Sequence, residues 1–148
     1  MPDMSEPKIT LEGVKIRALH LTSVDFEVRL KVQNPNSISV TLRELPFTIF
    51  FRTRNRQEEI ALGNAGKLEI AANGSTDITV PVTTHNLVLI KALATLIEKG
   101  GIQLEIKGNA VIDHIMAGWT LPFTKTFEIS KHEIVEAIGG KIPGKKGP

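Results

Sequence analysis

Cysteine and tyrosine are both missing from this chain of 148 residues, and tryptophan occurs once. Without cysteine there is no disulfide framework, thiolate metal site, thiol nucleophile or dithiol redox centre. The absence suits a reducing cytoplasm, the expected location. Aromatic residues make up only 5%, which leaves few platforms for stacking nucleic-acid bases. No stretch reaches the roughly 18 apolar residues that cross a bilayer; the longest, Leu87–Ile97, is interrupted by Lys91. Met1–Lys8 has neither a basic n-region nor an apolar h-region, so it does not read as a secretory signal. A dominant charge is lacking too. Lysine and arginine total 18 against 16 acidic residues, and Gly139–Pro148 carries Lys141, Lys145 and Lys146 with no acid. Residues 1–138 therefore stand at −1. The basicity belongs to a Gly/Pro/Lys tail, expected to be solvated and mobile, with weak docking to an anionic surface as the alternative. Specific nucleic-acid binding is not expected.

What is present is apolar residue in ordinary proportion, 41%, in a chain long enough for one domain that buries roughly two thirds of its unfolded surface. Its arrangement is informative. From Val24 to Gln33, apolar Val24, Phe26, Val28, Leu30 and Val32 alternate with Asp25, Glu27, Arg29, Lys31 and Gln33. Successive strand side chains point to opposite faces, so this is a strand with one dry and one wet face, which favours antiparallel pairing. The rhythm recurs in Leu45–Phe51, with Phe50 as an extra, in Ile78–Val82 and in Ile102–Ile106. Trp119, Leu121, Phe123, Phe127 and Ile129 hold one phase, broken by Lys125. Val14 and Ile16 share one parity, Leu19 and Leu21 the other, which predicts a bulge near Arg17–Ala18.

Turn residues sit between these runs: Asn34-Pro35-Asn36-Ser37, Gly63-Asn64-Ala65-Gly66 and Asn73-Gly74-Ser75. Pro81, inside an alternating run, belongs on an edge strand or at a bulge. One segment breaks the strand rhythm: Asn86 as cap, Leu87–Ile97, then Lys99-Gly100-Gly101 predict a helix near 87–98. A short helix near 131–138 would have Ser130 as cap and Glu133 three residues on. The fold class expected is all-β: an antiparallel β-sandwich of about seven strands with one inserted helix, in which Trp119 and the phenylalanines supply the central bulk. Residues 1–8 are expected to be a flexible N-terminus, 9–138 a single domain and 139–148 a flexible basic tail.

The search for chemistry finds fragments. His132-Glu133-Ile134-Val135-Glu136 begins like a zinc-protease helix, but Glu136 stands where the second metal histidine belongs. Gly63–Lys67 lacks the glycine and the serine or threonine of a phosphate loop, with Ala61 and Leu68 at those positions. The histidines, His20, His85, His114 and His132, are isolated, and Asp113-His114 reads as a solvated strand end. Glu58 and Glu59 would point to opposite faces of a strand, poor geometry for joint acid–base work. Arg52, Arg54 and Arg56 would project from one face of a strand end and could grip phosphates or a carboxylate-rich partner, or be a solvated hairpin tip. No catalytic, cofactor-binding or metal-ligating residues are assigned, and no cofactor is expected.

The order of these segments resembles the type-2 late embryogenesis abundant (LEA) proteins, whose module is the WHy (water stress and hypersensitive response) domain. The resemblance rests on the Val24–Gln33 strand running into Asn34-Pro35-Asn36, then Leu42–Phe51, Leu62–Gly63, a strand opening at Gly74-Ser75-Thr76 and ending in Pro81-Val82, one helix, Ile102–Ile112 and Trp119–Ile129. It spans roughly Ile9–Ile129. It implies a sandwich related to fibronectin type III domains, a structural role for the Asn-Pro-Asn turn, no catalytic residues, and a non-enzymatic part in desiccation or stress tolerance. The expectation is a monomeric stress-protection protein touching client proteins or membrane surfaces weakly. The alternative is a β-sandwich module that binds a protein, peptide or lipid, either in end loops or beside Leu87–Ile97.

Overall fold

The run from Val24 to Gln33 becomes a strand with the bounds its alternation predicts, and its neighbours follow. The computed structural model describes residues 4–52, 57–85, 101–114, 117–130, 132–134 and 136. Their strands are β1 (Lys8–Leu19), β2 (Val24–Gln33), β3 (Val40–Glu44), β4 (Pro46–Arg52), β5 (Gln57–Asn64), β6 (Leu68–Ile70), β7 (Ser75–Thr84), β8 (Gly101–His114) and β9 (Ala117–Ser130). One sheet has the order β1-β2-β7 and the other β5-β4-β8-β3-β6, with β9 also on β8. Every pairing is antiparallel.

The strand count differs from seven for a physical reason. β3 and β4 lie end to end along β8, broken at Leu45. β5 and β6 lie end to end beside them in one register: Val40 faces Ile70, Leu42 faces Leu68 and Pro46 faces Asn64. The second sheet is therefore four ribbons wide. With the three of the first, this is the expected sandwich of about seven.

Both sheets bury one face. Val24, Phe26, Val28, Leu30 and Val32 of β2 are each no more than 1% exposed, and Leu104, Ile106, Ala110 and Ile112 of β8 are at 0%. They belong to one continuous apolar cluster, so a single dry layer holds the sheets together. The expected bulge appears between Ile16 and Ala18, and a second, between Leu11 and Gly13, resets the phase so that Leu11 and Val14 are both buried. Pro81 lies on β7, an edge strand, opposite Glu27.

Three details correct the sequence reading. Trp119 is half-buried rather than central, as are Leu121, Phe123 and Phe127, because β9 is an edge strand packed beside β1. The aromatic bulk expected there is borne by Phe26, Phe47 and Phe51, joined by aliphatic side chains such as Leu30, Ile49, Leu104 and Ile106. Lys125 occupies the inward row of β9 opposite Ile106, donates from Nζ to the Leu11 carbonyl on β1 at 3.5 Å and lies 5.3 Å from the Phe127 ring centroid. Its stem covers the seam while its charge meets a carbonyl and a ring face. Leu21 is 93% exposed, because β1 stops at Leu19 and the chain turns, closed by His20 N donating to Ser23 O at 2.9 Å.

The predicted helix near 87–98 and the tail 139–148 lie outside the described residues. Of the C-terminal segment, 132–134 and 136 are helical, and Ile134 is fully buried. The capping box forms as expected: Ser130 N donates to Glu133 Oε2 at 2.9 Å and Glu133 N to Ser130 Oγ at 3.2 Å.

Across the second sheet runs a row of alternating size: Gly63, Phe47, Gly108, Phe123. The Phe47 ring fills the place of a side chain at Gly63. A Cβ at Gly108 would lie 2.6 Å from Phe123 Cζ, 2.8 Å from Phe47 Cβ and against the Pro46 carbonyl. Gly108→Ala should therefore destabilise the protein by about 1–3 kcal/mol, whereas exposed Leu62→Thr should stay within about 0.5 kcal/mol. Urea denaturation of the two variants measures the contrast; equal stability would refute the packing argument.

Candidate functional site

Pro35 has no N–H, so the main-chain ladder of β2 stops there. The asparagines on either side are nonetheless buried, Asn34 at 2% and Asn36 at 5% exposure. Buried carboxamides need partners, and these have them. Asn34 Nδ2 donates to Ile38 O at 2.9 Å and Ala71 O at 3.0 Å, with Ile70 O at 3.4 Å. Asn34 Oδ1 accepts from Asn36 N and Asn36 Nδ2, both at 3.0 Å. Three carbonyls on one side and two N–H groups on the other fix which way the amide points. Asn36 also binds Ser5: Ser5 N donates to Asn36 Oδ1 at 2.7 Å and Asn36 Nδ2 donates to Ser5 O at 2.9 Å.

Main-chain bonds complete the knot. Asn34 N donates to Gly74 O at 2.8 Å, Asn73 N to Asn36 O at 2.9 Å and Gly74 N to Ala71 O at 3.1 Å. Asn73 takes the left-handed conformation, φ 53°, which asparagine tolerates better than most residues. One end of the sandwich is thus tied through two side chains that join the N-terminal segment, the end of β2, the loop before β3 and the β6–β7 turn. Beside it lies an open cleft of about 490 Å3 between Lys8, Gln33, Pro35 and the Asn73-Gly74 turn. The asparagines are neutral and engaged in internal hydrogen bonds, so their part at this end is to hold the loops together rather than to transfer a proton or attack as a nucleophile.

The other fragments do not converge. His132 Nε2 lies 3.4 Å from Glu136 Oε2 on one helix face, both exposed. Among the described residues no three potential metal ligands cluster. Gly63 and Asn64 end β5, and the turn follows with Gly66 at φ 83°. The Asn64 carboxamide there accepts from Leu45 N at 3.0 Å and Gly66 N at 3.1 Å, bridging the break in the β3–β4 ribbon. Asp113 pairs with Arg43 at 3.2 Å. Glu58 and Glu59 oppose Phe51 and Phe50, so they alternate in face as expected. Arg52 opposes Gln57 and Gln103, while Arg54 and Arg56 lie outside the described residues. At the opposite end, His20 Nε2 is 3.0 Å from Asp25 Oδ2, Thr83 Oγ1 donates to Asp25 Oδ1 at 2.8 Å, and His85 Nδ1 lies 3.2 Å from Thr22 O. These contacts bind the β1–β2 turn to β7.

The outer faces are polar and interleaved in charge. Arg17 meets Glu27 at 2.8 Å and Lys31 meets Glu12 at 3.7 Å on the first sheet; Lys107 meets Glu105 at 3.9 Å on the second. Among the described residues the exposed large apolar side chains are Leu21, Ile38, Leu62 and Leu68, on the β1–β2 turn, the loop before β3, β5 and β6.

Residues 29–126 match the model of the LEA_2 family, late embryogenesis abundant protein. The chain belongs to that family. A curated relative, an uncharacterized protein of Methanocaldococcus jannaschii, is 26% identical over 148 residues, covering 96% of this chain and 83% of the relative. Among solved structures, a solution structure from Arabidopsis thaliana is similar with a TM-score of 0.61 and 21% identity, over 86% of this chain and 83% of the other. A crystal structure from Archaeoglobus fulgidus has a TM-score of 0.55 and 13% identity, over 86% and 97%. These two share the fold.

Asn34→Asp tests the knot. It replaces the donating end of the amide with an oxygen facing three carbonyls, and should cost about 3 kcal/mol at neutral pH. Burial and the carbonyls would raise the new carboxyl above its unfolded value of about 3.9. A raised acid loses stability as pH rises, so the deficit should shrink as pH falls toward 4, where the neutral acid can donate once. Denaturation midpoints of both proteins across pH 4–7 measure this; a pH-independent deficit would contradict it.

Proposed function

We propose that this protein is a non-enzymatic stress-protection protein that limits damage to other proteins or membranes during water loss through weak surface contacts. Its membership of the late embryogenesis abundant family carries the reading. Within that family we assign it to the WHy group, with a fibronectin III-like sandwich acting as a cytoplasmic monomer. Three further observations support the protective reading. The outer faces carry interleaved charges held in ion pairs, the kind of surface that stays dispersed at high concentration. The buried polar side chains are committed to the fold: every buried side-chain N or O atom among the described residues has a hydrogen-bond partner. Protection then comes from the folded surface, whose polar groups can replace some of the contacts that departing water made to a neighbour. Among the described residues the exposed large apolar side chains are spread over four elements, which favours diffuse contact over one apolar docking patch.

Drying a labile enzyme with this protein, or with an equal mass of serum albumin, and assaying it after rehydration tests the proposal. Higher recovered activity with this protein is expected. Recovery equal to that with albumin would remove it.

A further inference from the structure

Pro35 ends the main-chain ladder of β2, yet the register of β1 and β2 continues beyond it. Extended past the Lys8–Gln33 pair, it places Ser5 opposite Asn36, and there the two meet through the 2.7 Å and 2.9 Å bonds. A carboxamide offers one donor and one acceptor side by side, as a peptide group does. Asn36 therefore pairs with the backbone of residue 5 as a neighbouring strand would. Two residues on, Pro7 is buried, while Ser5 and Glu6 are exposed. The contact thus reads a backbone unit followed by a proline, with little demand on the side chains at 5 and 6.

We propose that Met4–Pro7 is the in-cis occupant of a peptide-docking site, and that an extended, proline-containing segment of another polypeptide takes its place when these residues lift away. Among the described residues two hydrogen bonds and one buried proline ring hold the segment at its outer end, so release is a local opening that leaves both sheets intact. Asn36 stays aimed after release, because its Nδ2 is also held by Asn34 Oδ1 at 3.0 Å and its own N–H by the same oxygen. A site kept in its bound geometry pays less ordering entropy when a new segment arrives. The open cleft of about 490 Å3 alongside, flanked by Glu6 and Lys8, gives room for the side chains of an incoming segment. Strand-like pairing of the incoming main chain with Asn36 supplies the affinity, and burial of a proline two residues on, as of Pro7 here, the selectivity. The inference stands apart from the protective reading, since a chain can dock a peptide without preserving a dried enzyme, and the reverse.

The test uses the full chain, unaltered and as Ser5→Pro, which removes the N–H that Asn36 Oδ1 accepts. Each is titrated with a synthetic acetylated peptide of the sequence of residues 1–8 and followed by NMR at the Asn34 and Asn36 side-chain amides. Full-length Pro7→Gly, which loosens the segment by a different route, is titrated in parallel. With the intrinsic site closed most of the time in the unaltered chain, both variants should bind the peptide about tenfold more tightly, with shifts centred on Asn36. A peptide with proline at its fifth position should fail to bind either variant. Equal affinity for all three chains, shifts away from Asn36, or equal binding of the proline-blocked peptide would overturn the proposal.

Discussion

The inward face of β2 does not end with its last valine. Asn34 and Asn36 fall at the next two inward positions after Val32, so two polar side chains enter the space that five apolar ones have just dried. Leaving either unpaired there would cost more than most single contacts contribute. The chain resolves this by bringing the main chain of Ser5 and the carbonyls of Ile38, Ile70 and Ala71 to the two carboxamides, while the Asn73-Gly74 turn bonds the main chain of Asn34 and Asn36. Burial thereby imposes a geometry on loops that have no strand partner of their own. The β2–β3 loop and the turn after β6 take an arrangement that satisfies the Asn34 amide, and the N-terminal segment completes the bonding of Asn36.

The same device recurs where the second sheet is interrupted. At Leu45, between β3 and β4, the carbonyl still accepts from Ala65 N at 3.3 Å, while the N–H is accepted by Asn64 Oδ1. The register on either side of the break is unchanged, so the side chain substitutes for a missing peptide group without shifting the ladder. Asn34, Asn36 and Asn64 each stand where a ribbon stops, and each spans the gap with a carboxamide. The apolar layer sets where the sheets lie; the asparagines set how their ends are closed.

Much of this was legible beforehand. Period-two alternation fixed which face of β2, β4 and β8 is buried, because facing depends only on local parity. The Arg17 bulge followed from a parity switch, the edge position of β7 from Pro81, and the capped C-terminal helix from Ser130 and Glu133. Pairing was not legible, because parity names a face and not a neighbour; hence the division of two ribbons into β3–β6, and the half-buried place of Trp119 on an edge strand. The asparagine knot could have been suspected, since Asn34 and Asn36 share the parity of Val24–Val32. What no sequence pattern supplied was the identity of partners 31 and 37 residues away.

The chain belongs to the late embryogenesis abundant family, and among its described residues every buried side-chain N and O atom has a hydrogen-bond partner. The most direct measurement of the central claim is native-state hydrogen exchange of the amides of Asn34, Asn36 and Asn73, which sit in loops or at a strand end. If the buried carboxamides organise that end, these amides exchange as slowly as that of Val28 in the middle of β2, by global unfolding alone. Exchange at the rates of an exposed loop, with Val28 still protected, would show that the sandwich stands without the knot and would contradict the account.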